Sequence, residues 1–344
     1  MGQAVSPAKD QARSSATCYP IHVPRAFLID TDTASDDAVA ILMALAAPDV
    51  RVLGLTIVAG NVGLEQATRN ALLTAEIAGI EVPVFVGAAA PLKRPLEDAH
   101  WFHGRDGLGD RGYAPPRRAP EREHAVDAIL RLADRVPGLT LVTLGPLTNV
   151  ALALARDPRL ANKIGRCVVM GGAPCCEGNV TPAAEYNIWV DPEAARAVFH
   201  SGLPIEMVGW HVSRGASVLS EAEIADVLAL GTAKARFAVE CNTRAKEAYH
   251  EQTGESGLSL ADPTAMAVAL DRTIGLSWSR HAVEIECASE LTRGMTIVDR
   301  LNVAADDNNR QTWDAALKSG AKADICWTFD SARFKAMLKR ALAG

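Results

Sequence analysis

The stretch LIDTDTASDDAVAIL, residues 28–42, joins a short apolar run to a segment with helical periodicity. It places four aspartates within eight residues, and these are Asp30, Asp32, Asp36 and Asp37. Carboxylates repel one another, so this crowding should cost stability unless a positive charge lies among them. The stretch therefore predicts a strand, a tight turn and a helix that surround a positively charged partner.

The two pairs of acids are predicted to lie on different parts of this turn. Side chains alternate along a strand, so Asp30 and Asp32 share one side of the extended segment. Ser35 can cap a helix whose first turn contains Asp36 and Asp37. The helix dipole favours carboxylates there, so a well-capped helix would explain Asp36 and Asp37 taken alone. Capping needs no aspartates upstream, and the four together therefore favour a site.

Strands and helices alternate along the rest of the chain. Apolar, β-branched runs of strand length occupy residues 26–29, 50–58, 82–86, 139–144, 167–170 and 204–208. Segments with helical periodicity lie between them at residues 37–47, 64–78, 124–135, 147–155 and 192–200. This alternation predicts an α/β fold with a mainly parallel central sheet flanked by helices. In such sheets the ligand site lies at the carboxyl ends of the strands.

Polar turns follow several of these strands. Asp30 and Asp32 follow the first, AGN ends the second at Asn61, LGPLTN begins at Leu144, and MGGA begins at Met170. Turn chemistry alone also favours Gly, Asn and Asp, so one such turn means little. Four of them at one edge of a sheet predict a pocket, with the acidic cluster as its deepest feature.

A hard cation is the expected counter-charge for that cluster. Calcium takes six to eight oxygen ligands, whereas zinc prefers His and Cys, which the stretch lacks. Magnesium or calcium is therefore favoured. Asp262, in LSLADPTAMAVAL, is a further candidate ligand, although alone it would be interpreted as a helix N-cap.

Composition excludes several classes of function. The chain has 344 residues, 49% of them hydrophobic, and a formal net charge of -6 without a long basic block, so no nucleic-acid partner is expected. No apolar run approaches the length of a membrane span, and the seven cysteines contain no CxxC pair, which predicts free thiols. We predict a disordered N-terminal extension at residues 1–24, one domain at residues 25–344 and a cytoplasmic location.

The motifs resemble those of a known family. DTDTASDD matches the DxDxxxDD signature of the inosine-uridine preferring nucleoside hydrolases. AGN, LGPLTNVA, VMGGA, GNVTPAAEYNIWVDPEAA and ADPTAMAVA follow in the family's order, and the stretch GNVTPAAEYN is especially specific. The resemblance extends from Phe27 to the C-terminus. It implies a single α/β domain that uses calcium to hydrolyse the N-glycosidic bond of ribonucleosides, in purine or pyrimidine salvage, as a homodimer or homotetramer.

The resemblance also implies roles for individual residues. The calcium ligands would be the carboxylates of Asp32, Asp37 and Asp262 with the main-chain carbonyl of Leu144, where the family commonly has Thr. Asp32 would also take the proton of the attacking water, with Asp30 orienting its neighbours. The residues implied to contact substrate are Asp36, Asn61 and Asn187 at the ribose 2' and 3' hydroxyls, Asn179 and Glu185 at the 5' hydroxyl, and Met170 against the sugar.

The chemistry of the reaction agrees with an acidic, amide-rich site. Cleavage builds positive, oxocarbenium-like charge on the ribose. Carboxylates and amide oxygens around the sugar therefore stabilise the transition state more than the ground state.

One departure from the family pattern lies where the nucleobase should leave. Well-studied members have His or Trp immediately before the late aspartate, and this chain has Ala261. Departure of the base must therefore rely on another donor, on stacking, or on a substrate whose base leaves easily. His250, in a polar helical stretch, is the favoured donor, and His103, in WFHGRDGLGD, is the next. His211 follows a strand in GWHVSRG and is interpreted as a packing residue. The preferred nucleobase is not predicted.

Two alternative interpretations stay open at this point. DTDT after a strand also fits the DxDxT opening of the haloacid dehalogenase phosphatases, in which Asp30 would be the nucleophile and Asp32 an acid/base. Ala261 also fits a calcium-dependent nucleoside or ribose binder that does not catalyse hydrolysis. The motifs GNVTPAAEYN and ADPTA favour the hydrolases over the phosphatases, and the presence of Asp32 favours an enzyme over a binder.

Overall fold

The computed structural model describes residues 1–2 and 24–344. Most of the predicted disordered extension therefore lies outside the described residues. No helix in the described part of the chain is long and apolar enough to cross a membrane. The six cysteines within it are free thiols, in agreement with the prediction.

A central eight-stranded sheet organises the described residues. Its strands are β1 (Arg25–Thr31), β2 (Val50–Ile57), β3 (Val84–Val86), β4 (Thr140–Thr143), β5 (Arg166–Met170), β6 (Ile205–Val208), β7 (Gly275–His281) and β10 (Ala323–Phe329). A separate two-stranded antiparallel sheet contains β8 (Val283–Ile285) and β9 (Thr296–Val298). The spatial order of the large sheet is β3-β2-β1-β4-β5-β6-β10-β7, and all its pairings are parallel except that between β10 and β7. The predicted mainly parallel sheet is confirmed.

Helices connect the strands and cover both faces. In the first half they are α1 (Ser35–Ala46), α2 (Leu64–Ala78), α3 (His100–His103), α4 (Ala125–Arg135), α5 (Thr148–Arg156), α6 (Tyr186–Val190) and α7 (Pro192–Phe199). In the second half they are α8 (Glu221–Leu228), α9 (Ala233–Glu240), α10 (Thr243–Thr253), α11 (Ala261–Leu270), α12 (Asp314–Ser319) and α13 (Ser331–Ala343).

Alternation along β1 divides the core between the two faces. Phe27 and Ile29 pack on the face covered by α1, α2, α11 and α13, whereas Leu28 packs on the face covered by α4, α5 and α7. All three side chains are fully buried, as expected for a central strand of a parallel sheet. Residues Ala265–Ala269 of α11 are also fully buried, so this helix is enclosed by protein on all sides.

The predicted elements agree with the observed ones to within a few residues, with one correction at the start of α1. Ala34, not Ser35, occupies the N-cap position, and its backbone N–H donates to Oδ2 of Asp37 at 2.9 Å. Ser35 is the first helical residue, and its hydroxyl contacts His103 instead. The sequence analysis does not predict α3, α6, α8 and α9, or the elements from β7 to α13.

The carboxyl ends of the parallel strands meet at one edge of the sheet. Asn61 follows β2, Leu144 follows β4, Met170 ends β5 and Trp210 follows β6. All four side chains line the same cavity. The fold therefore places the candidate site where a parallel α/β sheet is expected to have one.

Candidate active site

The turn after β1 holds its first aspartate beneath the cavity. Oδ2 of Asp30 accepts hydrogen bonds from Oγ1 of Thr56 at 2.6 Å and from Nδ2 of Asn149 at 2.9 Å. Burial raises the pKa of Asp30 to about 7. Asp30 is not among the residues that line the cavity, so it contacts the supporting structure below the site.

Asp32 lies in a narrow space between two glycine backbones. Any side chain at Gly145 would clash with this carboxylate, because its Cβ atom would lie 2.5 Å from Oδ1 of Asp32. A Cβ atom at Gly60 would lie closer still to Oδ2. Oδ2 accepts a 2.6 Å hydrogen bond from the backbone N–H of Asn61, whereas Oδ1 is buried without a partner among the described residues. Burial, and then the charge of Asp37, raise the pKa of Asp32 well above its ordinary value. One oxygen is thus hydrogen-bonded and the other has no partner, and Asp32, like Asp30, is not among the residues that line the cavity.

Three further carboxylates form a tight cluster. Asp36, Asp37 and Asp262 each offer an oxygen that lies within 4.8 Å of the others. Thr31 Oγ1 donates to Oδ1 of Asp37 at 2.6 Å. Burial, and then the charge of Asp36, raise the pKa of Asp37 to about 6. The same two causes raise the pKa of Asp262 well above its ordinary range. The cluster includes Asp36, to which the sequence analysis assigned a ribose contact.

This donor set fits a hard divalent cation. The cluster offers only oxygen atoms, which suit calcium or magnesium rather than zinc. The unpartnered Oδ1 of Asp32 is a buried acceptor that needs a positive partner. A bound divalent cation would favour the ionised carboxylates and would therefore lower the pKa values of the cluster.

Leu144, Met170 and Asn187 form another part of the cavity wall. Nδ2 of Asn187 donates to the carbonyl oxygen of Leu144 at 2.7 Å and lies 3.2 Å from Sδ of Met170. A carbonyl oxygen has two lone pairs, so the carbonyl of Leu144 can accept this bond and still contact a cation. The structure therefore brings a predicted metal ligand and two predicted sugar contacts together.

Glu185 and Asn179 organise the loop before α6. Glu185 is the N-cap of α6, and its carboxylate accepts from the backbone N–H groups of Gly172 at 2.7 Å, Asn187 at 2.8 Å and Ile188 at 3.3 Å. Burial raises the pKa of Glu185 to about 7. Oδ1 of Asn179 accepts from the backbone N–H of Tyr186 at 2.9 Å. Both Glu185 and Asn179 line the cavity.

Aromatic and amide side chains complete the cavity. Those that the sequence analysis did not select are Trp101, Phe102, Tyr186, Trp210 and Gln252. Trp210 directly precedes His211, and its position after a strand end is the signal that could have indicated it. Tyr186 lies between two selected residues, and its hydroxyl donates to the carbonyl of Glu97 at 2.9 Å. Gln252 on α10 carried no local signal.

The three candidate histidines lie in different environments. His103 is buried and lines the cavity, and burial lowers its pKa, an effect that Asp36 opposes. His250 is exposed on α10, does not line the cavity, and has Nδ1 3.1 Å from the carbonyl oxygen of Glu255. Nε2 of His211 lies 2.8 Å from the carbonyl oxygen of Cys326, outside the cavity. The structure thus brings His103, and not the favoured His250, to the site.

Comparison with known proteins identifies the family of this site. A family model described as inosine-uridine preferring nucleoside hydrolase matches residues 27–336. The chain belongs to this family. Uridine nucleosidase 1 of Arabidopsis thaliana is 39% identical to this nucleoside hydrolase over 279 residues, which are 79% of this chain and 81% of the relative.

Solved structures of nucleoside hydrolases have the same fold. A plant nucleoside hydrolase matches with a TM-score of 0.86 at 32% identity, over 93% of this chain and 99% of that chain. A purine-preferring ribonucleoside hydrolase from Gardnerella vaginalis matches with a TM-score of 0.82 at 30% identity, over 93% of this chain and 98% of that chain. The protein is therefore a hydrolase of N-glycosyl bonds, and neither the phosphatase nor the non-catalytic binder is supported.

Proposed function

We propose that this nucleoside hydrolase uses calcium to cleave ribonucleosides into ribose and a free nucleobase, in purine or pyrimidine salvage. The observation that carries the proposal is the buried group of carboxylates beneath a cavity lined by amides and aromatic rings. The acids suit a cation and the positive charge that develops on the sugar, and the rings suit a planar base. The homo-oligomeric state and the cytoplasmic location stay predictions.

Asp32, Asp37, Asp262 and the carbonyl of Leu144 would hold the ion, with Asp36 close to it. When bound, a calcium ion supplies positive charge that favours the ionised carboxylates and acidifies water. Ionisation of Asp37 and Asp262 is costly without such a charge, because burial and neighbouring acids raise both pKa values. These two residues are therefore the strongest support for a cation at this position.

Asp32 is the proposed general base. Its Oδ2 is held by the N–H of Asn61, and its buried Oδ1 has no partner among the described residues, so this carboxylate would contact the ion and take the proton of a water bound beside it. The C1'–N bond breaks with its electron pair on the base, the water oxygen joins C1', and the water proton passes to Asp32.

The remaining side chains would orient the ribose. The 2' and 3' hydroxyls would be bound by three residues that line the cavity, Asp36, Asn61 and Asn187. Asn179 and Glu185 would bind the 5' hydroxyl, with Met170 packed on the sugar. Fixing the sugar in this way lowers the entropic cost of reaching the transition state.

A nucleoside panel tests this function directly. The relatives named above act on uridine or prefer purine nucleosides, so the panel should contain uridine, cytidine, inosine, guanosine and adenosine. Metal-stripped protein is assayed for ribose and base release before and after addition of Ca²⁺, Mg²⁺ or Zn²⁺. Calcium should restore release of both products in equal amounts. Failure to release base from any nucleoside, or full activity after chelation, would refute the proposal.

A further inference from the structure

Ser35 and His103 form a buried hydrogen bond between two segments that are 68 residues apart. Oγ of Ser35 lies 2.8 Å from Nδ1 of His103, and the two residues are 0% and 6% exposed. Ser35 begins α1 directly before the clustered acids, and His103 ends α3 at the cavity wall. This contact therefore links the acidic turn at the start of α1 to α3.

The surroundings of Ser35 determine which atom carries the hydrogen. Its Oγ has no other hydrogen-bond partner among the described residues, so the buried hydroxyl either donates to Nδ1 or leaves its hydrogen without an acceptor. The closest approach between Nδ1 and the Asp36 carboxylate is 3.9 Å, which is too long for a hydrogen bond. Nδ1 therefore accepts from Ser35, and in the neutral ring the hydrogen belongs to Nε2.

The other side of the ring is free to meet a ligand. Nε2 of His103 makes no hydrogen bond to any residue in the described ranges. It is also not one of the buried polar atoms that lack a partner. The backbone N–H of His103 donates to Ala99 at 3.0 Å, and its ring packs edge-on against Phe102 at a centroid distance of 4.9 Å. The main-chain carbonyl of Ser35 accepts a 3.0 Å hydrogen bond from Nδ2 of Asn242. Both partners are thus anchored independently.

We propose that Ser35 is a positioning residue that fixes His103 as the Nε2–H tautomer, so that this N–H donates a hydrogen bond to the departing nucleobase. The inference rests on the proposed hydrolase function and adds a role for a residue that has none in the sequence analysis beyond helix capping. It supplies the donor that Ala261, with its methyl side chain in the same cavity, does not provide.

The chemistry requires a hydrogen bond and no transfer of the His103 proton. As the C1'–N bond breaks, its electron pair moves to the base, and acceptor atoms of the base gain negative charge. A hydrogen bond to an atom that becomes charged is stronger in the transition state than in the ground state. Nε2 keeps its hydrogen, and the released base takes its proton from solvent.

Nitrogen NMR of histidine-labelled protein tests the tautomer without substrate. The His103 signals are assigned by their absence from the His103→Ala spectrum. The wild-type ring should show a protonated Nε2 and an unprotonated Nδ1, and Ser35→Ala should shift the ring toward the other tautomer or a mixture. A wild-type ring with the hydrogen on Nδ1 would overturn the proposal, whether or not the protein hydrolyses nucleosides.

Kinetics then test whether Ser35 acts through His103. Ser35→Ala should lower kcat on its best nucleoside roughly 10- to 100-fold. It should change kcat little on p-nitrophenyl riboside, whose leaving group needs no donor. Ser35→Thr, which keeps the hydroxyl, should restore most of the loss. Calcium affinity from titration calorimetry should be the same in all variants, because Ser35 is not an expected ligand.

The double variant separates positioning from a general structural effect. In the His103→Ala background, Ser35→Ala should cause no further loss, because its effect passes through the missing ring. Full additivity of the two losses would overturn the proposal. Equal losses on the nucleoside and on the activated riboside would also overturn it. If the wild-type protein cleaves neither substrate, the hydrolase function itself fails, and the NMR result still decides the Ser35 contact.

Discussion

The side-chain amide of Asn187 donates a 2.7 Å hydrogen bond to the main-chain carbonyl of Leu144. One residue expected to contact ribose is thereby joined to one expected to bind calcium. The backbone N–H of Asn187 is also fixed, since it donates to Oε1 of Glu185 at 2.8 Å. The sugar site and the ion site therefore share a wall, and a change at Asn187 should alter binding at both sites.

Replacement of Asn187 should weaken sugar and ion binding together. Asn187→Ala removes the amide that orients the Leu144 carbonyl, and loss of such a buried hydrogen bond costs about 1–3 kcal/mol. We expect kcat/KM to fall roughly 10- to 100-fold and calcium affinity to fall by a smaller factor. Steady-state kinetics and titration calorimetry measure the two effects. A variant with lower kcat/KM and unchanged calcium affinity would show that the two sites are independent.

Replacement of Asp32 should separate catalysis from binding. Asp32→Asn keeps an oxygen that can accept from the Asn61 N–H and removes the group that takes the proton of water. General-base loss costs about 10²- to 10⁴-fold, so kcat should fall by that range. The affinity for ribose, measured by equilibrium binding with saturating calcium, should change much less. Near-normal kcat would assign the proton transfer to another residue.

The parts of the site that could be predicted from sequence are those that local patterns encode. Strand periodicity located the five parallel segments that carry the site, and the polar residues after them indicated the edge where the cavity lies. Asn61, Leu144 and Met170 were found in this way. Trp210 obeys the same rule after β6, but an aromatic side chain is not one of the polar residues that the rule selects.

Other parts depend on contacts that no local pattern contains. Ser before two acids is a common capping pattern and predicts a helix cap at Ser35, yet the partner of its hydroxyl lies 68 residues away. Gln252 lines the cavity because of where the fold places α10, whereas His250 on the same helix is exposed and does not line it. The antiparallel pairing of β7 with β10 also joins distant segments, and the half-exposed β7 has no strong apolar run.

The location of the two histidines predicts different effects of their removal. His103→Ala should lower kcat on nucleosides by roughly 10² or more and change the rate on p-nitrophenyl riboside little, because only the nucleoside needs a hydrogen-bond donor. His250→Ala should change neither rate more than about twofold, as expected for an exposed side chain outside the cavity. A larger nucleoside-specific loss in His250→Ala would restore the original assignment.

Removal of the ion should lower both activity and stability. The clustered acids repel one another in the folded state, so a bound cation should stabilise the fold. At a calcium concentration of 100 times Kd, the expected gain in the free energy of unfolding is about 2.7 kcal/mol. Chemical denaturation with and without chelator measures it. A crystal grown with calcium should show only oxygen ligands at ~2.4 Å.

The matched control for that experiment is Asp262→Asn. This variant removes one expected ligand charge and leaves the shape of the buried side chain almost unchanged. The calcium-dependent gain in stability should be much smaller than in the wild-type protein. An equal gain in both proteins would place the ion elsewhere.

Glu185 should make the stability of the metal-free protein depend on pH. Burial raises its pKa from 4.5 to about 7 in the folded state. The folded protein therefore binds this proton more tightly than the unfolded chain, and the resulting stability is greatest below pH 4.5 and is lost as the pH rises toward 7. Between pH 5 and pH 8 the loss due to Glu185 should be about 2 kcal/mol.

Glu185→Gln isolates this contribution from that of the other acids. Glutamine has a similar shape and does not titrate, and its one side-chain oxygen can still accept from the backbone N–H groups of Gly172 and Ile188. Urea denaturation of both proteins at pH 5 and pH 8, with chelator present, gives the difference in the free energy of unfolding at each pH. The wild-type protein should lose about 2 kcal/mol more than the variant over this range. Equal losses in the two proteins would mean that Glu185 is already ionised at pH 5, with its three N–H donors outweighing the effect of burial.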